Sequence, residues 1–174
     1  MEVRRGMKIC IFRVDDRLIH GQVTAVWTRE LGVSTIFVVD DTLCRDRLSV
    51  NILSMTAPPK TQVHVFSTDQ MASALRSPQV TAAPGRAMIL FRDLAAAEEL
   101  LARTGRICET LCLGGIPSRI GRHEIAKNLF LSKDERLAVL NIADHYGMRV
   151  ISQVLPSDTP LDVGALIPLA DKGM

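Results

Sequence analysis

The chain has 174 residues, 47% of them hydrophobic, which suffices for one domain with a substantial core. Only 4% are aromatic and the formal net charge is +2, so the composition argues against nucleic-acid binding, which uses basic surfaces and stacking aromatic rings. The apolar runs are too short to cross a bilayer, and the first residues lack the apolar segment of a secretory signal.

Residues 1–6 are predicted to be a disordered extension, and residues 7–174 a single domain. The predicted strands are Lys8–Val14, Thr35–Val39, Gln62–Phe66, Ala87–Phe91, Thr110–Leu113, Asn128–Leu131 and Arg149–Gln153. The predicted helices are Gln22–Leu31, Arg45–Met55, Thr68–Leu75, Leu94–Arg103, Lys133–Tyr146 and Leu161–Leu169. This alternation predicts an α/β fold: an open, mostly parallel sheet of about seven strands with helices on both faces.

Several predicted helices begin at residues that are typical of helix starts. Ser67–Gln70 and Ser132–Glu135 fit the capping box, in which two side chains satisfy the first free backbone N–H groups. Asp93 can cap the alanine-rich helix that follows it, and Pro160 suits the first turn of the last predicted helix.

The four cysteines, Cys10, Cys44, Cys108 and Cys112, are scattered among apolar residues. This pattern favours buried free thiols over a disulfide framework or a metal site, although neither alternative is excluded. Free thiols are typical of the cytoplasm, where we expect this protein. Neither a metal nor a cofactor is predicted.

Charged residues crowd the loop between the first predicted strand and the first predicted helix. Asp15, Asp16, Arg17 and His20 follow the strand within a few positions. In α/β proteins, the carboxyl ends of parallel strands and the positive ends of helices converge at such loops. His20 is therefore a candidate to bind an anion or to carry one.

The neighbours of His20 suit a phosphoryl group. The planar guanidinium of Arg17 can grip phosphate oxygens, and Gly21 allows close approach of the backbone. Gln22 and Val23 offer unpaired N–H groups at a helix start, where anions are favoured.

The two aspartates of this loop have more than one interpretation. Asp15 or Asp16 could accept a hydrogen bond from one imidazole nitrogen of His20 and leave the other nitrogen as a nucleophile. Alternatively, one aspartate caps the loop and the other is solvated. Arg13 could likewise be a structural ion-pair partner at the strand.

Residues 114–127 are rich in glycine and basic residues and have no clear periodicity, so no helix or strand is predicted there. Because the region follows a strand, it should lie on the same sheet edge as His20. Backbone amides at Gly114 and Gly115, together with Arg119 and Arg122, would suit a phosphate or an acidic partner surface. The alternative is a surface connection with solvated arginines.

Other chemistries lack their motifs. No nucleophile elbow, P-loop or dinucleotide-binding glycine pattern occurs in the chain. The remaining histidines, His64, His123 and His145, are expected to be structural or exposed. Trp27 is expected to pack the first helix against the sheet.

Residues 14–23, Val-Asp-Asp-Arg-Leu-Ile-His-Gly-Gln-Val, resemble the active-site signature of the IIB components of the mannose/fructose/sorbose family of the bacterial phosphotransferase system. The resemblance extends along essentially the whole chain from Met7, and is less close over Ile116–His123 and after Pro168. Its further counterparts are Trp27–Thr28, Val38–Asp41, Ala57–Pro59, Leu113–Gly115 and Leu131–Glu135.

The resemblance implies a phosphoryl relay with an open, mainly parallel sheet as its fold. The chain would accept a phosphoryl group from a phosphohistidine of a IIA protein and pass it to a sugar held by the membrane proteins IIC and IID. It would thus act as a protein-phosphohistidine–sugar phosphotransferase.

The same resemblance implies roles for particular residues. His20 would be the phosphoacceptor, through its Nδ1 nitrogen. Arg17 would cover the phosphoryl group, Asp15 would position the loop, and Gly21 and Gln22 would shape the pocket.

A basic rim of Arg13, Arg17, Arg119 and Arg122 could meet an acidic IIA surface. Two alternatives remain open at this stage: a stand-alone phosphatase or hydrolase with His20 as nucleophile, and a non-catalytic regulatory module. The sugar is left undetermined.

Overall fold

The computed structural model describes residues 6–167, apart from the side chain of Gln22. Residues 1–5 of the predicted extension and residues 168–169 of the last predicted helix lie outside this range. The strands are β1 Lys8–Val14, β2 Thr35–Val39, β3 Gln62–Phe66, β4 Arg86–Phe91, β5 Thr110–Leu113, β6 His123–Ala126, β7 Leu129–Leu131, β8 Arg149–Ser152 and β9 Leu161–Asp162. The helices are α1 Gly21–Leu31, α2 Arg47–Met55, α3 Thr68–Ala74, α4 Pro78–Thr81, α5 Leu94–Thr104, α6 Lys133–Asp144 and α7 Val163–Leu166, with a 3₁₀ turn at Leu43–Arg45.

The main sheet has seven strands in the order β3-β2-β4-β1-β5-β8-β9. All neighbouring pairs are parallel except β8 and β9, which are antiparallel, so the predicted mostly parallel sheet is confirmed. Strands β1 and β5 are adjacent. After β1 the chain crosses to β2 on one side of this pair, and after β5 it crosses to β8 on the other side. The sheet therefore has its topological switch point between β1 and β5, where open α/β sheets form a crevice at the carboxyl ends of the strands.

Hydrophobic side chains cover both faces of the sheet. Because neighbouring residues of a strand face opposite sides, Ile11 joins one buried cluster and Phe12 the other. The cluster with Phe12 includes residues of α3, α5 and α6, and the cluster with Ile11 includes Trp27 of α1. Trp27 is buried, as predicted.

The strand predicted at Asn128–Leu131 is present as β7 but in a different sheet, and the last predicted helix is wrong at its start. The predicted strand Asn128–Leu131 lies outside the main sheet: β7 pairs with β6 in an antiparallel hairpin that turns at Asn128, whose φ is +63°. The predicted helix Leu161–Leu169 begins instead as strand β9, because Leu161 pairs with Ser152 of β8. Among its described residues, 161–167, only α7 is helical. Pro160 therefore precedes a strand.

Local hydrogen bonds explain most helix starts. Both predicted capping boxes are present, at Ser67 and at Ser132, and the Asp93 carboxylate accepts a hydrogen bond from the N–H of Ala96. The helix predicted from Arg45 begins at Arg47, because Asp46 caps the first turn. The short helix α4 was not predicted.

All four cysteines are free thiols, as the sequence favoured. Cys108 and Cys112 are buried, and burial raises the pKa of Cys108 to about 12 and the pKa of Cys112 to about 11. Cys10 and Cys44 are half-buried. The thiolate is the reactive species, so the two pairs should differ in reactivity.

We expect a thiol-reactive chromophore at pH 7 to modify Cys10 and Cys44 within minutes and to leave Cys108 and Cys112 intact until the protein unfolds. Peptide mapping after modification checks the assignment, and a sample in denaturant, in which all four thiols should react, is the control. Fast modification of Cys112 in the folded protein would contradict the burial found here.

Candidate active site

Asp15 is the first residue beyond β1 and is buried. Its N–H donates to the carbonyl of Phe91, which continues the ladder to β4 by one residue (N···O 2.9 Å). Its carboxylate forms a buried ion pair with Arg13, with 3.1 Å between Nη2 and Oδ2. A buried carboxylate needs such a partner, because desolvation without one is costly.

Arg13 lies deep in the molecule. Its guanidinium also donates to Cys112 Sγ at 3.3 Å and to the carbonyl of Gln153 at 3.0 Å, and it lies 5.0 Å from the centre of the Trp27 ring. The Trp27 indole N–H donates to the carbonyl of Val154 at 2.8 Å. The prediction that Arg13 belongs to an exposed basic rim is therefore wrong, because this side chain projects between α1 and the ends of β5 and β8.

Gly114 provides the space for this ion pair. A Cβ atom at this position would lie 2.5 Å from Asp15 Oδ2 and 2.7 Å from Arg13 Nη2. The N–H of Gly114 donates to the carbonyl of Val14 (2.8 Å) and so is committed to the protein. Gly114 thus makes room for the site, whereas the sequence suggested a phosphate-binding amide here. Gly115, next along the chain, does line the cleft described below.

A tight turn connects Asp15 to His20. The N–H of Leu18 donates to the carbonyl of Asp15 at 2.9 Å, and the N–H of Arg17 donates to Asp15 Oδ1 at 3.3 Å. Leu18 has a φ of +55°, which is strained for a residue with a branched side chain. The side chains of Leu18 and Ile19 are buried in the core, and this burial holds the turn in place.

The imidazole of His20 is oriented by the backbone. Its Nδ1 lies 2.9 Å from the carbonyl oxygen of Leu18 and 3.7 Å from Asp15 Oδ1. A carbonyl only accepts hydrogen bonds, so Nδ1 carries a proton in this conformation, and the lone pair of the neutral ring would lie on Nε2. The expectation that an aspartate accepts this hydrogen bond is corrected: a carbonyl does so, and Asp15 contributes its charge from beyond hydrogen-bonding distance.

Helix α1 begins directly after His20, and no side chain caps its first turn. The N–H of His20 donates to Thr24 Oγ1 at 3.2 Å, while Gly21 adopts a φ of +46°. The backbone N–H groups from Gly21 to Val23 have no hydrogen-bond partner among residues 6–167 and are available to a ligand. Together with the helix dipole they favour an anion next to the imidazole.

His20 faces a cleft of about 530 Å³ at the switch point of the sheet. Its lining residues are Asp15, Arg17, His20, Val23, Gly115, Pro117, Ser118, Asn128, Phe130 and Val154. The Arg17 side chain is exposed and makes no hydrogen bond or ion pair with any residue from 6 to 167. The structure thus brings together Asp15, Arg17, His20 and Gly115, as predicted from the sequence.

Several lining residues were not predicted from the sequence. Asn128 and Phe130 reach the cleft because the β6–β7 hairpin folds over the sheet edge, and Val154 follows β8. No local signal marks these three positions. Pro117 and Ser118 lie in the glycine-rich loop that the sequence had assigned to this edge.

Arg92 and Arg119 hold Asp16 in place. Arg119 pairs with Asp16 Oδ2 at 3.2 Å, and Arg92 donates both to the Asp16 carbonyl at 3.2 Å and to Asp40 Oδ2 at 2.6 Å. Asp16 Oδ1 is buried and has no hydrogen-bond partner among the described residues. Burial of Asp40 acts to raise its pKa, but hydrogen bonds from Leu43 and Arg92 outweigh it and leave the pKa below its ordinary value.

Arg122 is a structural residue. Its guanidinium forms a two-pronged ion pair with the carboxylate of Glu135 (2.9 and 2.5 Å), and both side chains are largely buried. Burial acts to raise the pKa of Glu135, but hydrogen bonds from Arg122 and Ser132 lower it overall. The predicted basic rim is thus reduced to Arg17 and Arg119.

The Glu135→Gln variant should report on this charge, because glutamine replaces the ionised carboxylate with a neutral amide of the same shape. Its carbonyl oxygen can still accept the capping hydrogen bond from the N–H of Ser132. A lowered folded-state pKa stabilises the protein above the ordinary value of 4.5 and loses that contribution as pH falls through the folded-state pKa. We expect the variant to be less stable by about 1–2 kcal/mol at pH 7, with the difference shrinking below pH 4.5. Urea unfolding at several pH values measures it; a difference independent of pH would contradict the ion pair.

Over residues 6–167, no group of three or more His, Cys, Asp or Glu side chains is placed to hold a metal ion. Within the same range, no helix is long and apolar enough to cross a membrane.

Residues 9–173 match the family model of the PTS system sorbose subfamily IIB component. The chain belongs to this IIB family. IIB components of the phosphotransferase system (PTS) are phosphotransferases that carry phosphoryl groups in sugar uptake. The resemblance of residues 14–23 is thereby confirmed at the level of the family.

Relatives and solved structures support the assignment of this IIB chain. It is 32% identical to the mannose-specific EIIAB component of Escherichia coli over 95% of its own length, and it spans about half (50%) of that relative. It is 29% identical to the sorbose-specific EIIB component of Lacticaseibacillus casei, covering 92% of this chain and 96% of the relative. The crystal structure of the IIBSor domain of the Klebsiella pneumoniae sorbose permease superposes with a TM-score of 0.84 at 26% identity, over 96% of this chain and 98% of that one.

Proposed function

We propose that this IIB protein accepts a phosphoryl group on His20 from a phosphohistidine of a IIA protein and passes it to a sugar held by the membrane proteins IIC and IID. The observation that carries this proposal is the position of His20 at the uncapped start of α1, inside the cleft that Arg17 borders. An imidazole nucleophile, helix N–H groups and a cation with no ion-pair partner in the described part of the chain match what phosphoryl transfer requires, namely positioning and charge stabilisation.

Each neighbour of His20 has a part in this proposal. The guanidinium of Arg17 covers the oxygens of the transferred group, and the backbone N–H groups of Gly21 and Gln22 bind them from the helix side. Gly115 leaves the opposite wall of the cleft open. Asp15 is a positioning residue, since its carboxylate holds the N–H of Arg17 and lies next to the imidazole.

Transfer occurs in two displacements. In the first, a nitrogen of His20 bonds to phosphorus while the bond from phosphorus to the donor imidazole breaks; the His20 ring releases one proton and the donor ring takes one up. In the second, a sugar hydroxyl oxygen bonds to phosphorus while the bond from phosphorus to His20 breaks, and the hydroxyl proton returns to the imidazole of His20. Neither step needs a metal held by this chain.

Which imidazole nitrogen of His20 accepts the phosphoryl group depends on the orientation of the ring. The family resemblance implies Nδ1, whereas in the structure Nδ1 donates to Leu18. We propose that the ring turns away from the Leu18 carbonyl, which places Nδ1 toward the N–H groups of α1. Exchange with water moves the proton from Nδ1 to Nε2, so that Nδ1 has its lone pair free when it attacks phosphorus. Nuclear magnetic resonance of the phosphorylated imidazole distinguishes the two nitrogens, and phosphorylation at Nε2 would mean that the observed ring orientation is itself the reactive one.

The sugar is not selected by family membership, because the relatives carry the names of mannose, sorbose and fructose. The E. coli relative is an EIIAB component. For this chain we propose a IIA protein as the donor. The proposed place of action is the cytoplasm.

The experiment is transfer from labelled phosphoenolpyruvate through the general PTS proteins and a IIA protein to the wild type and to the His20→Ala variant. We expect label that is acid-labile and alkali-stable on the wild type, and a loss of at least about a thousandfold in the variant, because the nucleophile is gone. Circular dichroism checks that both proteins are folded.

Equal labelling of both proteins would place the phosphoryl group elsewhere, and His123→Ala would be the next variant to test. No label on the wild type, with a donor that labels another IIB protein, would contradict the relay function for this donor. Release of inorganic phosphate from a simple phosphate ester by the wild type alone would favour a phosphatase.

A further inference from the structure

Ile120 is fully exposed at the tip of the loop between β5 and β6, which we call the tip loop (Ile116–Arg122). A single exposed aliphatic residue is common on protein surfaces and means little by itself. Ile120 differs because of what surrounds it: a loop fixed at both ends, an exposed arginine beside it and the His20 cleft at its base.

Hydrogen bonds hold the tip loop in one shape. Arg122 binds Glu135 of α6 and donates to the carbonyl of Pro117 at 3.1 Å, and its own N–H donates to the Arg119 carbonyl at 3.0 Å. At the base, Ile116 exchanges backbone hydrogen bonds with the β6–β7 hairpin. The loop thus presents Ile120 with little conformational entropy left to lose on binding.

The tip loop stands over the place where phosphoryl transfer would occur. Pro117 and Ser118 line the cleft together with His20, and Arg119 reaches back to Asp16 in the His20 turn. A protein that brings a phosphohistidine to His20 would enter a cleft that this loop borders. Ile120 would then be covered, and its burial would contribute to the affinity of that encounter.

The positive charge beside His20 favours the phosphoryl donor, and not the membrane partners, as the protein that binds the tip loop. Arg92 is exposed near the Asp16 turn but is paired with Asp40. Arg17 and Arg119 are further exposed cations on the His20 side, and they suit an acidic surface that also carries a phosphoryl group. Cytoplasmic loops of membrane proteins are rich in Lys and Arg, which these two arginines would repel. An acidic cleft of about 620 Å³ lies further along the same edge, lined by Asp40, Asp41, Asp46, Asp93 and Glu99 beside Arg92.

We infer that the tip loop is the docking element for the phosphorylated IIA donor, with Ile120 as its apolar anchor and Arg119 as its electrostatic contact. This inference rests on the proposed function for the existence of such a donor. The matching surface on the donor is an apolar recess bordered by carboxylates, next to its phosphohistidine. Arg119 can exchange Asp16 for that surface, because an exposed ion pair costs little to break.

The test compares Ile120→Ser with the matched variant Met55→Ser. Met55 is similarly exposed, but it ends α2 toward the amino-terminal edge of the sheet, far from the cleft. Calorimetry measures the Kd for the unphosphorylated IIA protein that labels the wild type, and single-turnover kinetics measure transfer at varied donor concentration. We expect Ile120→Ser to raise Kd and KM about tenfold with kcat unchanged, and Met55→Ser to change neither.

Arg119→Ala should raise KM as well and should also flatten its dependence on salt, since the contact is electrostatic. Wild-type Kd and KM in the Ile120→Ser variant would overturn the docking role while leaving the relay intact. An effect confined to transfer from phosphorylated protein to sugar would overturn it too, because the loop would then serve the membrane partners. If no IIA protein labels the wild type, the proposed function is wrong, and so is the assignment of a IIA protein as the partner that binds the tip loop.

Discussion

Gly114→Ala is expected to destabilise the protein by about 3–5 kcal/mol, which is the range for breaking a buried ion pair. The new methyl group would lie 2.5 Å from Asp15 Oδ2 and 2.7 Å from Arg13 Nη2, both in buried side chains that have little room to move. Either the pair separates or β5 shifts away from β1. Urea unfolding gives the free energy of unfolding of the variant relative to wild type.

Gly115→Ala is the matched control for that measurement. A Cβ atom at Gly115 would have no neighbour within 4 Å, so its effect on the free energy of unfolding should stay within about 0.5 kcal/mol. A Gly114→Ala protein as stable as Gly115→Ala would mean that the Arg13–Asp15 pair is not held where the structure has it. A folded Gly114→Ala protein that has lost phosphoryl acceptance would instead support Asp15 as a positioning residue.

Arg17→Ala is expected to leave stability within about 0.5 kcal/mol of wild type, because the side chain is exposed and has no partner in the described residues. Phosphoryl transfer should slow by about 10²–10³-fold, the usual cost of losing one charged or hydrogen-bonding group that stabilises a transition state. Single-turnover transfer from the phosphorylated donor measures this rate directly.

Two further variants sharpen the assignment of Arg17. Arg17→Lys should recover part of the rate, since an ammonium supplies charge without the planar two-pronged contact. Arg47→Ala, at an exposed arginine on α2, should transfer at the wild-type rate. Normal transfer by Arg17→Ala would show that the helix N–H groups suffice to bind the phosphoryl group.

Much of the fold could be predicted because the signals are local. β2 and β4 are buried almost throughout, so their sequences are nearly continuous apolar runs. The predicted bounds of β2 are those of the structure. The capping boxes at Ser67 and Ser132 are contained within four consecutive residues each. The start of α2 is less well predicted. The helix was expected from Arg45, but Arg45 belongs to a 3₁₀ turn, and the cap at Asp46 sets the helix start at Arg47.

The strand placed in another sheet and the late start of the last helix have a common physical cause, since each is decided by a pairing partner. Strand β7 is as apolar as a sheet strand, yet it pairs with β6, which has two exposed residues and no clear periodicity. Strand β9 exists because Leu161 meets the edge of β8. Pro160 favours a helix start locally, but the backbone pairing of Leu161 with Ser152 stabilises a strand there instead.

By itself the sequence determined the family, the strand–loop–helix that carries His20, and the gathering of Asp15, Arg17 and His20, because these residues are adjacent along the chain. Only the tertiary structure decided that Arg13 is buried against Trp27 and Val154, and that the Leu18 carbonyl, not a carboxylate, holds the imidazole. The reason is that burial and hydrogen-bond partners depend on which strands lie side by side. That order sets β1 between β4 and β5, and so brings residues more than a hundred positions apart to one site.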